Sequence, residues 1–119
     1  MIKGQKINNM KYHNPGPIDW ETAESNFLSG DTEIIRETLV AVTMHSDNWK
    51  RVQDKCLTLL ENKDIAISGL AATCLGHIAR IHRQLDREKV IIALKNKLNN
   101  KDIRGNIEDA LDDIGMFLE

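Results

Sequence analysis

Cys74, His77 and His82 fall within nine residues of the stretch AATCLGHIARIHR (71–83), and Cys56 lies one helix upstream. A Cys-x-x-His pair is the start of a zinc site, and a thiol near an imidazole is the start of a nucleophile–base pair. Each needs more than it has here. Tetrahedral zinc takes four ligands, and no second Cys or His pair at ligand spacing completes the set. A nucleophile needs a base oriented by a third group, and no Ser, Asp or Glu is spaced so as to force a triad on His77. The expectation is no metal, no cofactor and no catalytic residue. A free thiol in an apolar helix is a small hydrophobe, so both cysteines are assigned to the core.

The elements that must carry these residues are helices. The chain has 119 residues, 41% hydrophobic and 29% charged, which suits one soluble globular domain. A net charge of −2 gives no bulk attraction to nucleic acid or membrane, and 4% aromatics leaves few platforms for stacking bases. Two cysteines do not make a disulfide scaffold. No stretch approaches eighteen uninterrupted apolar residues, and the start MIKGQKINNMKYHNPGPIDW has no apolar signal core. The expected location is the cytoplasm. Met10 is an alternative start, and residues 1–9 are given no role.

Both prolines, Pro15 and Pro17, precede Asp19, and everything after it reads with helical period. Asp19 caps WETAESNFL, which Gly30 closes; Asp31 opens TEIIRETLVAVTMH, with Ile35, Leu39 and Val42 on one face. Asp47 precedes WKRVQDKCLTLLE, whose apolar stripe is Trp49, Val52, Cys56, Leu59 and Leu60. Asp64, Asp86 and Asp102 are expected to start the three remaining helices, the last running through Leu118. Residues 1–17 are read as an irregular N-terminal segment, and 18–119 as a single helical repeat domain.

A repeat is visible in the last two helix pairs. Ile67, Ala71, Leu75 and Ile78 match Ile103, Ile107, Leu111 and Ile114, each pair 36 residues apart. Ile35, Arg36 and Leu39 align with Ile67, Ser68 and Ala71, after which the match fades. The pattern resembles the HEAT repeat: an Ile-Arg pair at 35–36 and 103–104, and a Leu75-Gly76-His77-Ile78 ending. Ser68, in place of arginine, departs from it. The resemblance covers about residues 19–118 and implies an all-α fold, a short HEAT-like α-solenoid of about three antiparallel helix pairs. One pair cannot bury its apolar stripe alone, whereas about three stacked pairs can.

At 100° per residue, Ile67, Ala71, Cys74, Leu75 and Ile78 point inward. Gly69, Ala72, Gly76 and Ala79 form a stripe of small residues, expected to meet a neighbouring helix closely. Thr73, His77 and Arg80 form a polar stripe, while His82 leans toward the core. Trp20 and Trp49, opening the first helices of two pairs, are assigned to the core. Second helices line the inner surface of a helical solenoid. Carrying the polar stripe through the repeat register gives the expected partner-binding set: Glu37, His45, Thr73, His77, Arg80, Asp109, Asp112 and Asp113. Acids dominate residues 19–37, bases dominate 80–104, and the tail is acidic again. Such segregation suits a protein partner of mixed or positive surface.

The run from DWETAESNFLSGD through GLAATCLGHIARIHRQLD to EDALDDI is similar to small bacterial HEAT-like immunity proteins of polymorphic toxin systems, contact-dependent growth inhibition among them. That resemblance implies a protein that binds the toxic C-terminal domain of a cognate effector, often a nuclease, and blocks it by occlusion without chemistry. It implies no direct nucleic-acid or membrane binding, and a monomer or weak dimer. The alternatives are a general HEAT-like adaptor, and a HEAT-like enzyme of the bilin lyase or DNA glycosylase type. A glycosylase of that kind should show a basic, aromatic groove, which the predicted inner surface lacks.

Overall fold

The computed structural model describes residues 16–118, which form six α-helices and no strand: α1 Trp20–Phe27, α2 Thr32–His45, α3 Trp49–Leu59, α4 Ile65–His82, α5 Arg87–Lys95 and α6 Arg104–Phe117. They pair as α1–α2, α3–α4 and α5–α6, a short helical solenoid. Most of the expected irregular segment, residues 1–15, lies outside the described residues.

Capping explains most of the helix starts. Asp19 accepts the Thr22 amide at 2.7 Å, Asp31 the Ile34 amide at 3.1 Å and Asp64 the Ala66 amide at 2.9 Å. Each carboxylate satisfies an amide that the first turn leaves without a partner. Gly30, at φ 77°, turns the chain between α1 and α2, where a side chain would be strained.

One expected start, at Asp102, is corrected, and two others differ in how they are capped. The cap of α3 is Asn48, whose side chain accepts the Arg51 amide at 3.1 Å, rather than Asp47. Asp86 occupies the cap position of α5 but makes no side-chain cap, because Lys50 and Gln53 of α3 hold its carboxylate. The last helix begins at Arg104 behind Ile103, so Asp102 lies in the preceding turn and the helix stops one residue before Leu118.

The centre of the stack is α4, which packs against α2, α3 and α6. Its inward residues Ile67, Ala71, Cys74, Leu75 and Ile78 are all buried, together with Leu39 and Val42 of α2, Val52 and Leu60 of α3, and Ile107 and Ile114 of α6. By length and composition α4 alone would be long and apolar enough to cross a membrane, with mean hydropathy 1.2, yet 56% of that window is buried inside this chain. Its apolar character is that of a helix surrounded by others.

The small-residue stripe of α4 meets α6, as expected. A Cβ on Gly76 would lie 3.0 Å from the Ala110 Cα and 2.9 Å from an Asp113 carboxylate oxygen, and one on Gly69 would lie 3.2 Å from the Asn106 side chain. Ala72 and Ala79 are fully buried on the same helix. Glycine costs helix stability, and here it permits backbone contact that no larger residue allows. Trp20 and Trp49 are half-buried against the core; the Arg51 guanidinium lies 4.3 Å over the Trp20 ring.

A different chemistry joins the first helices. Lys55 and Arg51 of α3 reach Glu24 of α1 at 3.0 and 3.4 Å, Lys50 reaches Asp86 at 2.6 Å, and Lys97 reaches Glu61 at 2.6 Å. Between α3 and α5 sits Gln53, fully buried, whose amide donates to Asp86 at 2.8 Å and whose carbonyl accepts the Asp86 amide at 2.7 Å. Long side chains span α1, α3 and α5, whereas α4 and α6 touch through backbone. The closer spacing on the second-helix side makes that the inner side of the stack.

Candidate functional site

The inner side is built from the exposed strips of α2, α4 and α6. On α4 it runs through Thr73, His77 and Arg80, which point the same way at i, i+4 and i+7. Thr73 and His77 are half-buried and Arg80 is exposed. Asn106 of α6 donates to the Thr73 hydroxyl at 2.9 Å, tying the strip to the next helix. The Arg80 guanidinium lies 2.8 Å from Nδ1 of His77. Burial, then the positive charge of Arg80, hold the His77 imidazole below the usual histidine range, with Asp113 acting in the opposite direction.

Of the acids placed on this surface, Asp113 is half-buried against Gly76, while Asp109 and Asp112 stand exposed on α6. Glu37 and His45 are exposed on α2. Among the described residues, Glu37, Asp109 and Asp112 enter no ion pair within 4.0 Å, and neither does Arg80. His77 and Arg80 therefore form one bonded pair, with the charge of Asp113 acting on the ring and Thr73 tied separately to Asn106. Asp109 and Asp112 flank the pair on α6, and no described ion pair or hydrogen bond joins Glu37 to it.

Sequence reasoning left out three participants. Asn106 matches Leu70 in the 36-residue register, and the change from apolar to amide marks its role as a tie. Met44 and Met116 are exposed at the C-terminal ends of α2 and α6, Met116 at 67%. Met116 stands 36 residues after Arg80 of the polar stripe. Large exposed apolar side chains beside unpaired charge are what the centre of a protein interface offers.

The thiols play no part in this surface. Cys56 and Cys74 are both buried, and the Cys74 sulfur beside it, together with burial, holds the Cys56 thiol well above its usual range. Cys56 stays protonated, and both thiols serve as packing groups. His82 is half-buried, as is His77. Among the described residues, no group of three or more His, Cys, Asp or Glu side chains is placed to hold a metal ion.

The fold and surface define an all-α solenoid with a charged, partly apolar inner side. Comparison of the sequence with family models and with curated proteins gives no match. Among solved structures, a chain of the "Crystal structure of CDI complex from Cupriavidus taiwanensis LMG 19424" is similar in fold, with a TM-score of 0.82 at 24% identity, over 89% of this chain and 96% of that one.

Proposed function

We propose that this chain is an immunity protein of the contact-dependent growth inhibition type, which binds the toxic C-terminal domain of a cognate bacterial effector and occludes it. The observation that carries this reading is the likeness, across nearly the whole of both chains, to a chain from a CDI complex. The inner side supports it. Glu37, Asp109 and Asp112 are left without counter-ions, as suits a partner that brings positive charge. A nuclease domain is such a partner, because its substrate channel must attract phosphate. In this reading the fold is a HEAT-like solenoid acting in the cytoplasm as a monomer or weak dimer, and inhibition comes from covering a site rather than from chemistry.

Trp20 and Trp49 bear on the glycosylase alternative. Both sit on first helices, packed against the core, so neither stands on the inner side to stack an extruded base. The test is growth rescue. The C-terminal domain of any large effector encoded beside this gene is expressed with and without the protein. Protection against that domain, and none against unrelated toxins, is the expected result. Failure to protect would favour a general adaptor.

A further inference from the structure

Arg80 stands beside an acidic helix and yet pairs with none of its carboxylates. Asp109, Asp112 and Asp113 all lie on the neighbouring α6, but the nearest polar partner of the Arg80 guanidinium is Nδ1 of His77, one turn back on α4, at 2.8 Å. An arginine has only donors and keeps its charge, so Nδ1 must be the acceptor and the ring proton must sit on Nε2. The imidazole is half-buried, and the charge of Asp113 on α6 acts on it. The half-buried ring thus holds one corner of the guanidinium along the exposed edge of α4. The remaining N–H groups of the fork are left for an acceptor from outside.

We propose that His77 is a positioning residue that presents Arg80 to a carboxylate of the protein partner, so that the matching surface carries an acidic side chain beside the bases that meet Asp109 and Asp112. The partner's identity rests on the immunity reading. The charge order adds selectivity to it. A toxin domain with bases throughout would set a like charge against Arg80, and one with acids throughout would repel α6. Only a mixed order satisfies both helices, and like charges brought together disfavour the wrong partner. Arg80 would then help one immunity protein tell its own toxin from a related one.

Titration calorimetry against the C-terminal domain of the neighbouring effector tests this. Arg80→Ala should weaken binding by about tenfold or more, a typical loss for one partner of a charged interfacial contact. His77→Ala should weaken it nearly as much, and should add little in the Arg80→Ala background. His77→Gln, whose amide oxygen can accept from Arg80, should recover most of the affinity. Lowering the pH from 7.5 to 5.5 should weaken the wild type, because a protonated Nδ1 cannot accept, and should leave the Gln variant flat. The charged groups acting on the ring are Arg80 on its own helix and Asp113 on α6, with none from α2 or α3. In the free protein, imidazole ¹⁵N shifts at pH 7.5 should report the Nε2–H tautomer, and circular dichroism should be unchanged in all variants. Wild-type affinity in Arg80→Ala, or equal effects of His77→Ala with and without Arg80, would overturn the proposal alone. If the wild type does not bind the probe, the immunity reading fails and takes the proposal with it.

Discussion

The two sides of this stack use charge in opposite ways. On the first-helix side, every inter-helix ion pair of the described residues bridges one repeat to the next: Glu24 to Lys55 and Arg51, Lys50 to Asp86, Glu61 to Lys97. The pairing is felt by the acids themselves. Lys55, ahead of Arg51, holds the Glu24 carboxyl below its usual range, and Lys50 with Gln53 does the same for Asp86. On the second-helix side the helices touch through glycine and alanine, and Glu37, Asp109 and Asp112 have no counter-ion. One side spends its charge on holding the repeats in register. The other pairs charge only within a helix, Glu33 with Arg36 and Arg104 with Glu108, and leaves Glu37, Asp109 and Asp112 for a partner.

The comparison can be broken from the core outward. Leu75→Ala removes a fully buried side chain from the central helix and should cost about 2–5 kcal/mol by chemical denaturation. Gln53→Leu should cost about 2–3 kcal/mol, since it strands the Asp86 amide and leaves the carboxylate with Lys50 alone. A cost under half of that would mean water replaces the amide there. Gly76→Ala forces a methyl against the Ala110 backbone and should destabilise by about 1–3 kcal/mol. Gly105→Ala is the same substitution on an open face of α6, with no atom within 4 Å, and should stabilise by about 0.5–1 kcal/mol. Opposite signs in these two variants would sharpen the contrast; matching signs would dissolve it. Lys97→Met, which removes one exposed bridge, should cost no more than about 1 kcal/mol.

Acid should separate the two sides as well. The folded state holds His77 below its usual pKa of 6.5, so the unfolded chain binds more protons as the pH falls through that value. His77 therefore favours folding at neutral pH and above, and that contribution declines as the pH falls from about 7 toward 5. Asp19, Glu24, Asp64 and Asp86 are shifted the same way from carboxylate values, so their contributions are lost only at lower pH. Unfolding curves at pH 7.5 and 5.5 should converge in His77→Gln relative to wild type.

How much of this was legible in the residues follows from how local each signal is. Helical period and the 36-residue repeat predicted six helices and the buried face of α4, because apolar stripes are written in one helix at a time. Asp19, Asp31 and Asp64 were readable as caps for the same reason. Asp86 does start its helix, but its carboxylate is claimed by residues 33 and 36 positions away, and no local pattern records that. Gln53 went unnoticed because a polar residue at the edge of an apolar stripe looks exposed until a neighbouring repeat covers it. The placing of Thr73, His77 and Arg80 on one strip was legible from spacing alone. That Arg80 would meet His77 rather than the acids of α6 needed the packing of Gly76 on Asp113, which fixes how near α6 comes.

In the proposed reading the inner side receives the partner, while the outer side holds the stack. Calorimetry of two double variants against the neighbouring effector domain tests it most directly. Asp109→Lys with Asp112→Lys should weaken binding by at least about tenfold, with the unfolding midpoint nearly unchanged. Lys50→Met with Lys97→Met should lower the midpoint and leave affinity within about twofold of wild type. Full affinity in the first variant, with lost affinity in the second, would place the partner on the outer helices and contradict the account.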